Sequence, residues 1–563
     1  MTIQLRKVLI SDEIDDICLE ILRKNGVEVV KNCNLSKEDL LKEIAGYDGL
    51  IVRSATKVSA EVINAGVNLK IIGRAGTGVD NIDTEVATKK GIIVMNTPGG
   101  NTLSAAEHTC TLIIALTRNL GEASKSMKDG KWDRKKFMGT ELYGKTLAII
   151  GLGRIGKEVA LRMQSFGMTT IGYDPIISSD ESATFNTEWM PLEKIWPLAD
   201  YITVHTPLIP QTKNLINDAV FGKCKKGVKV INVARGGIID EDALLRALQS
   251  GQCGGAGLDV FIEEPPKDYT LAKHPNVIAT PHLGASTIEA QVRVAEEIAQ
   301  QFVDLAQGRS LFGAVNANAL ANALNPALRP WIQLAEKLGT VGSQLTKTLS
   351  VNNVEVLIYE KSLEAAGSAL VSSVMIGYLN TSLTENGDIL PKNLNIINSP
   401  IYTKQSGIKP SEGGETIEKA TFNLINAPVF AKQAGIVTTS TNKCKSGQLK
   451  SGITVEFQSA GGEVLEICGV IAGEHSLLTS VQANTFKVAA SLHGETIVYR
   501  VDKPVSLADI ISAAEKDGLK VSAISASEVK HGQGFGIINL ELPVTQGLNH
   551  LNQTVNSAYV CSL

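Results

Sequence analysis

Residues 151–156, Gly151-Leu152-Gly153-Arg154-Ile155-Gly156, restrict this chain more than any other stretch. An apolar run, Thr146–Ile150, leads into them and an amphipathic run, Lys157–Phe166, leads out. A G-x-G-x-x-G in that setting predicts strand, tight turn and helix, the opening of a βαβ unit. The first glycine permits the turn, the second lets backbone approach a pyrophosphate, and the third allows close packing of helix on strand. The helix start then offers free N–H groups and a partial positive charge to the phosphates. Asp174 follows the next apolar run, Thr169–Tyr173. A carboxylate there accepts from both ribose hydroxyls and repels a 2′-phosphate, which predicts NAD rather than NADP.

The same alternation of short apolar runs and helical stretches extends to both sides. Upstream, Lys7–Ile10, Gly26–Val30, Gly49–Arg53, Leu69–Gly73 and Ile92–Met95 read as strands of a parallel sheet. Residues 101–120 read as a helix, apolar all round and so buried. Downstream, Tyr201–His205, Val228–Val233 and Val277–Thr280 continue a second sheet, and Ser286–Gln307 reads as a helix long enough to return to the first. Two lobes joined in this way leave a cleft between them. From residue 308 the composition shifts to Gly, Ala and Asn, with Pro326 and Pro330 beyond, marking the end of this part. A helix over Ile332–Leu349 and β-rich stretches at Ile453–Gln458 and Val464–Gly469 follow. The chain closes on strand Thr496–Val501, helix Ser506–Lys516, strands Val521–Ser527 and Phe535–Leu542, helix Thr545–Asn556 and strand Tyr559–Ser562. That is a βαββαβ order.

Two further constellations carry chemistry. Arg235, in Ala234-Arg235-Gly236-Gly237, stands at the carboxyl end of Val228–Val233, where α/β sheets place ligands. Its guanidinium is a rigid fork that fits a carboxylate. His282 follows the strand Val277–Thr280, and Glu264 lies eighteen residues before it. Oxidising an alcohol requires a base for the hydroxyl proton while hydride leaves the same carbon, and histidine suits that task near neutral pH. A carboxylate partner would orient the ring and stabilise its charged form, although sequence alone does not bring the two residues together. The other seven histidines are read as structural.

The set Gly151–Gly156, Asp174, Arg235, Glu264 and His282, with the stretches Leu198–Leu215 and Lys229–Leu244, resembles the D-isomer-specific 2-hydroxyacid dehydrogenases over roughly residues 5–315. The resemblance implies an α/β fold of two Rossmann-like lobes, with 1–97 and 285–317 binding substrate and 98–284 binding NAD. It implies that His282 is the acid/base, that Glu264 tunes it, and that Arg235 binds the substrate carboxylate or carbonyl. It further implies that Thr77, Arg154, Ile155, Thr206, Ala234, Asp259, Leu283, Gly284 and Ala285 line the NAD site beside Gly151, Gly153, Gly156 and Asp174.

Within the family, Ile51-Val52-Arg53-Ser54-Ala55-Thr56-Lys57, Gly73-Arg74-Ala75-Gly76-Thr77-Gly78-Val79-Asp80-Asn81 and Thr280–Thr287 are similar to the branch that converts 3-phosphoglycerate to 3-phosphohydroxypyruvate for serine synthesis. Arg53 and Arg74 would then face the anionic substrate, in keeping with a molecule that carries both carboxylate and phosphate. Arg134, in the basic run Lys125–Lys136, would serve a neighbouring subunit of a homotetramer. The long extension, with Asn426-Ala427-Pro428 and Lys337-Leu338-Gly339, resembles an α+β intervening domain (318–485) and an ACT-like domain (486–563). Val505 stands where such a domain often has glycine, so weak or absent serine inhibition is expected. The alternatives are a glyoxylate or hydroxypyruvate reductase, separated by its response to phosphorylated substrate, and an NAD-sensing corepressor, separated by a peptide cleft and a disordered tail.

Composition excludes several other classes. A net charge of −4 leaves no global attraction to nucleic acid or anionic membrane. Eight cysteines without a C-x-x-C pair predict neither a metal site nor a disulfide framework, and favour a reducing, cytoplasmic setting. No basic-then-apolar leader opens the chain, and no continuous apolar run approaches the roughly 18 residues of a membrane span.

Overall fold

The computed structural model describes residues 4–317, 325–382, 423–443, 452–530 and 532–563. The first lobe is a parallel sheet of β1 (Lys7–Ile10), β2 (Glu28–Lys31), β3 (Gly49–Val52), β4 (Ile71–Arg74) and β5 (Ile93–Asn96), in the order β2-β1-β3-β4-β5. Strand order reverses between β1 and β3, so the crevice at their carboxyl ends lies at Ser11–Asp12 and Arg53. The helix Ile288–Ala306 returns to this sheet and buries Ile298 and Phe302 against it. Gly73 makes that approach possible: a Cβ there would sit 2.5 Å from the Phe302 ring. Beyond the helix, residues 313–316 run along β5. Asn96 N–H donates to Gly313 O at 2.9 Å, Val315 N–H to Val94 O at 2.8 Å, and Val94 N–H to Asn316 Oδ1 at 2.8 Å.

The second lobe is a parallel sheet of β6 (Thr146–Ile150), β7 (Thr169–Tyr173), β8 (Glu188–Trp189), β9 (Tyr201–Val204), β10 (Val228–Asn232), β11 (Cys253–Leu258) and β12 (Val277–Ala279). Its order is β12-β11-β10-β9-β6-β7-β8, and the switch point lies between β6 and β9. The helix Thr102–Thr117 packs across it. β11 escapes a sequence reading because Gly254, Gly255 and Gly257 deprive it of strand-forming side chains. The helix explains two of them: a Cβ at Gly255 would meet Leu116 at 2.9 Å, and one at Gly257 would meet Leu112 at 3.1 Å. Ser104 on this helix shares a 2.7 Å hydroxyl contact with Thr287, which caps the returning helix, so the two interlobe crossings touch.

The third unit is a six-stranded sheet of β13 (Val351–Ile358), β14 (Val437–Asn442), β15 (Ile453–Ser459), β16 (Val464–Ala472), β17 (His475–Val481) and β18 (Asn484–Ser491), in the order β14-β13-β15-β16-β17-β18. Helices Arg329–Leu345 and Gly367–Ser382 pack together at glycines; a Cβ at Gly339 would lie 2.0 Å from Val374 O. The stretch Lys361–Asn380 is the one such stretch among the described residues with the length and composition to cross a membrane. It is 72% buried within this unit, as a core helix is. Asn423 and Asn426 dock the unit on the first lobe by donating to Gly91 O and Lys89 O at 3.3 and 3.4 Å.

The last unit has β19 (Glu495–Val501), β20 (Val521–Ala526), β21 (Gly534–Leu540) and β22 (Ser557–Ser562) in the antiparallel order β20-β21-β19-β22, with helices Leu507–Lys516 and Asn549–Thr554 on one face. This is the βαββαβ arrangement. The boundary expected at 485/486 moves, because β18 pairs with β17 and so belongs to the third unit. The boundary at 317/318 falls at the edge of the described residues.

Candidate active site

The glycine turn at the end of β6 is closed by backbone. Gly151 has φ +100° and donates to Tyr173 O at 2.8 Å. A Cβ there would sit 2.5 Å from His205 O, and one at Gly156 would sit 2.0 Å from Gly151 O. Gly153 faces open space, and it caps the helix Arg154–Gln164. Asp174 Oδ2 accepts from Leu152 N–H at 2.9 Å, while Oδ1 accepts from Ile176 and Ile177 N–H at 2.8 and 3.1 Å. The carboxylate is thus fixed beside the turn, where a ribose would lie. Thr206, just past β9, has a buried Oγ1 with no hydrogen-bond partner among the described residues. An orphaned hydroxyl at the switch point is what a dinucleotide pocket leaves when its ligand supplies the missing bond. Ile155 is partly buried, and Arg154 Nη1 reaches Pro98 O at 3.5 Å, at the interlobe crossing.

His282 and Glu264 meet. His282 Nδ1 lies 2.7 Å from Glu264 Oε2, and Glu264 Oε1 accepts from Phe261 N–H at 3.1 Å. The hydrogen bond that His282 donates to Glu264 holds the imidazole pKa above its ordinary value; burial and Arg235 oppose this, while the charges of Glu264 and Asp259 add to it. Burial pushes Glu264 upward, but the His282 bond, the Phe261 N–H and the nearby His282 and Arg235 charges outweigh it and leave its pKa lowered. With Nδ1 engaged, Nε2 is the ring atom available to substrate. His282 has φ +55°, a left-handed conformation that non-glycine residues seldom adopt.

Asp259 explains how that conformation is held. It is 1% exposed. Its carboxylate accepts from Thr280 Oγ1 at 2.6 Å and from Leu283 and Gly284 N–H, each at 2.7 Å. His108 Nε2 stands 3.3 Å away, and His282 N–H donates to Asp259 O at 2.9 Å. Asp259, expected to line the cofactor site, spends its oxygens on the loop that carries His282. Leu283, Gly284 and Ala285 continue that loop; a Gly284 Cβ would meet Val233 at 2.8 Å, and Ala285 O accepts from Gln291 Nε2 at 2.8 Å. His108, read as structural from sequence, buttresses this same carboxylate.

The arginines converge from both lobes. Arg235 Nη1 donates to Ala234 O at 2.6 Å, while Nε and Nη2 lie 3.1 and 3.0 Å from Asp80 Oδ2. Arg74, ending β4, reaches the same oxygen at 3.4 Å. Burial lowers the pKa of Arg74; Asp80 opposes this, and Arg235 and Arg53 deepen it. Arg53 is placed by Asp12, whose Oδ2 accepts its N–H at 2.6 Å. Its Nε is buried with no partner among the described residues. Thr77 donates its hydroxyl to Asn101, so its side chain joins the crossing segment. Arg134 lies apart, exposed on the second lobe. Asp80, His108 and Asp12 were not singled out from sequence; Asp80 sits inside the quoted loop 73–81, and its proximity to Arg235 is the only signal, visible once the lobes are assembled.

A base held by a carboxylate, facing arginines across a cleft with a dinucleotide turn on one side, defines an NAD-dependent dehydrogenase of 2-hydroxy acids. Comparison with known proteins agrees. The family model for the NAD-binding domain of D-isomer specific 2-hydroxyacid dehydrogenases matches residues 110–284, and that for the D-3-phosphoglycerate dehydrogenase intervening domain matches residues 327–420. D-3-phosphoglycerate dehydrogenase of Homo sapiens is 48% identical over 540 residues, 95% of each chain; that of Sus scrofa is 58% identical over 404 residues, covering 72% of this chain and 74% of the other. The structure of D-lactate dehydrogenase from Aquifex aeolicus with NAD and lactic acid aligns with a TM-score of 0.50 at 28% identity, covering 55% of this chain and 99% of that one. The chain belongs to the D-3-phosphoglycerate dehydrogenase family, and its cofactor is NAD.

Proposed function

We propose that the chain oxidises D-3-phosphoglycerate to 3-phosphohydroxypyruvate with NAD, the entry step of serine synthesis from that acid. The observation that carries this is the cluster of Arg53, Arg74 and Arg235 at the cleft: Arg74 and Arg235 share the single carboxylate of Asp80, and the buried Nε of Arg53 has no partner among the described residues. A neutral-tailed hydroxy acid needs one cation, whereas an acid with a phosphate needs more. Arg235 takes the carboxylate or carbonyl, and Arg53 and Arg74 take the phosphate end. His282 Nε2 removes the hydroxyl proton, while Glu264 holds Nδ1 and stabilises the imidazolium that results. Gly151–Gly156 would hold NAD with its ribose at Asp174, and the cofactor would supply the hydride acceptor. NADH formation from 3-phosphoglycerate should greatly exceed that from glycerate; equal turnover would favour a reductase of unphosphorylated acids instead. His282→Ala should lower turnover about 10²–10⁴-fold with NADH affinity kept, and undiminished turnover would refute the base assignment.

The active form in this reading is a homotetramer in the cytoplasm, with no nucleic-acid or membrane partner. Trp132, Met138 and Tyr143 beside Arg134 are each more than three-quarters exposed, a surface suited to a second copy. The described cysteines are free thiols, as a reducing compartment favours. Arg134 then acts in a neighbour's site, and the βαββαβ unit serves assembly rather than serine inhibition.

A further inference from the structure

Asp80 is an acidic side chain in a site built to receive an anion. It projects from the first lobe, 155 residues before the arginine it meets on the second. One of its oxygens, Oδ2, lies within 3.1 Å of both Nε and Nη2 of Arg235 and 3.4 Å from Nη1 of Arg74. The Nε–Nη2 edge of Arg235 is therefore closed on Asp80, and Nη1 is tied to Ala234 O at 2.6 Å. A guanidinium has five N–H donors. Three are used here, which leaves one on each terminal nitrogen for a ligand.

The loop is shaped around this contact. Gly78 admits the guanidinium; a Cβ there would sit 1.8 Å from Arg235 Nη2 and 2.5 Å from Asp80 Oδ2. Asn81, the next residue after Asp80, is pinned by its own amide, which donates to Arg53 O at 2.7 Å and to Thr56 O at 2.6 Å. Its carbonyl accepts from Val58 N–H at 2.8 Å. Asp80 thus has little freedom to swing away, although its side chain is 64% exposed. Arg74 and Arg235 repel one another, and a shared carboxylate oxygen is what sets their separation.

We propose that Asp80 is a positioning residue for the dehydrogenase reaction: it aims the free N–H groups of Arg235 into the cleft and fixes the spacing between Arg235 and Arg74 that an acid with two anionic ends must match. The alternative, that Asp80 occupies the arginines in place of substrate and must be displaced, predicts the opposite sign. The inference rests on Arg235 binding substrate, as proposed above.

The test is steady-state kinetics of the full-length enzyme with 3-phosphoglycerate, alongside NADH titration. Asp80→Asn should raise KM about 10- to 100-fold, the value of losing charged hydrogen bonds, with kcat changed much less and NADH affinity unchanged. Asp80→Glu should recover part of the loss. In the double variant D80N/R235A, the rise in KM should fall well short of the product of the two single effects, because Asp80 acts largely through Arg235. A KM that stays the same or falls in Asp80→Asn, or an additive double variant, overturns the role of Asp80. If Arg235→Ala itself leaves KM unchanged, the substrate role of Arg235 fails instead. Should Asp80→Asn not fold, Asp80→Glu and Gly78→Ala, which presses on the same contact, must each raise KM without altering NADH affinity; failure of either also overturns it.

Discussion

Replacing Asp259 with asparagine isolates the scaffold of the catalytic loop from its chemistry. The substitution is nearly isosteric and removes only charge and one acceptor. In the native loop, Oδ1 serves Thr280 Oγ1 and Leu283 N–H, and Oδ2 serves Gly284 N–H. An amide keeps one of these oxygens. Whichever way it turns, its NH₂ faces a backbone donor that has no other acceptor. A hydrogen bond to a charged acceptor contributes about 1.5–3 kcal/mol, and a buried donor left unmet costs about 1–3 kcal/mol. The site is 1% exposed, so water does not relieve the loss. The sum is about 2.5–6 kcal/mol. At roughly 2–4 °C per kcal/mol for a domain of this size, the unfolding temperature should fall by about 5–24 °C. The loop also holds His282 at φ +55°, a backbone state costing on the order of 1–3 kcal/mol that persists only while its surroundings enforce it. Once released, the ring moves, and a displacement near 1 Å is worth about 10²-fold in rate. The assays are a thermal melt and kcat with 3-phosphoglycerate. An Asp259→Asn enzyme with native kcat and a melting point within a degree of native would refute the reasoning.

Two further predictions follow from other parts of the site and core. Glu264→Gln removes the charge that holds the His282 pKa up; oxidation needs the neutral ring, so the acid limb of kcat/KM should move to lower pH, and an unmoved limb would contradict the pairing. Because the folded-state pKa of His282 is raised, this pair stabilises the fold below the ring's unfolded value, and that contribution is lost as pH rises through the folded one; the variant's stability should therefore depend less on pH in that window. Phe302→Ala should destabilise the first lobe by about 3–5 kcal/mol, because the ring is fully buried against Gly49 and Gly73; a loss below 1 kcal/mol in a denaturant titration would show that the lobe repacks.

Much of this arrangement is readable from the chain because it depends on local pattern. β1, β6 and β7 begin and end at the residues their apolar runs mark, and the turn at 151–156 needs only its own glycines. Chemistry picks out His282 and Glu264 from the sequence, and the fold is what brings the two together. What is not legible is either silent or distant. β11 is silent, because a strand that must accept a helix at close range sheds the side chains that announce strands. The Asp80–Arg235 and His108–Asp259 contacts are distant, formed by folding segments about 150 residues apart into one cleft. The expected boundary at 485/486 cuts through β18, because sequence composition does not mark which sheet a strand there will join.

The run of chain beside β5 has a bearing on how this enzyme can be dissected. Without residues 313–316, the outer polar groups of Val94 and Asn96 would stand bare along the last strand of the first lobe. A bare, apolar, parallel edge is a template for another chain. A shortened protein that stops at the end of the helix Ile288–Ala306 would keep every residue of the catalytic cleft and still present an adhesive margin. One that stops after Asn316 brings its own guard strand. The limit of a usable catalytic fragment is set by this short seam rather than by the chemistry it accompanies.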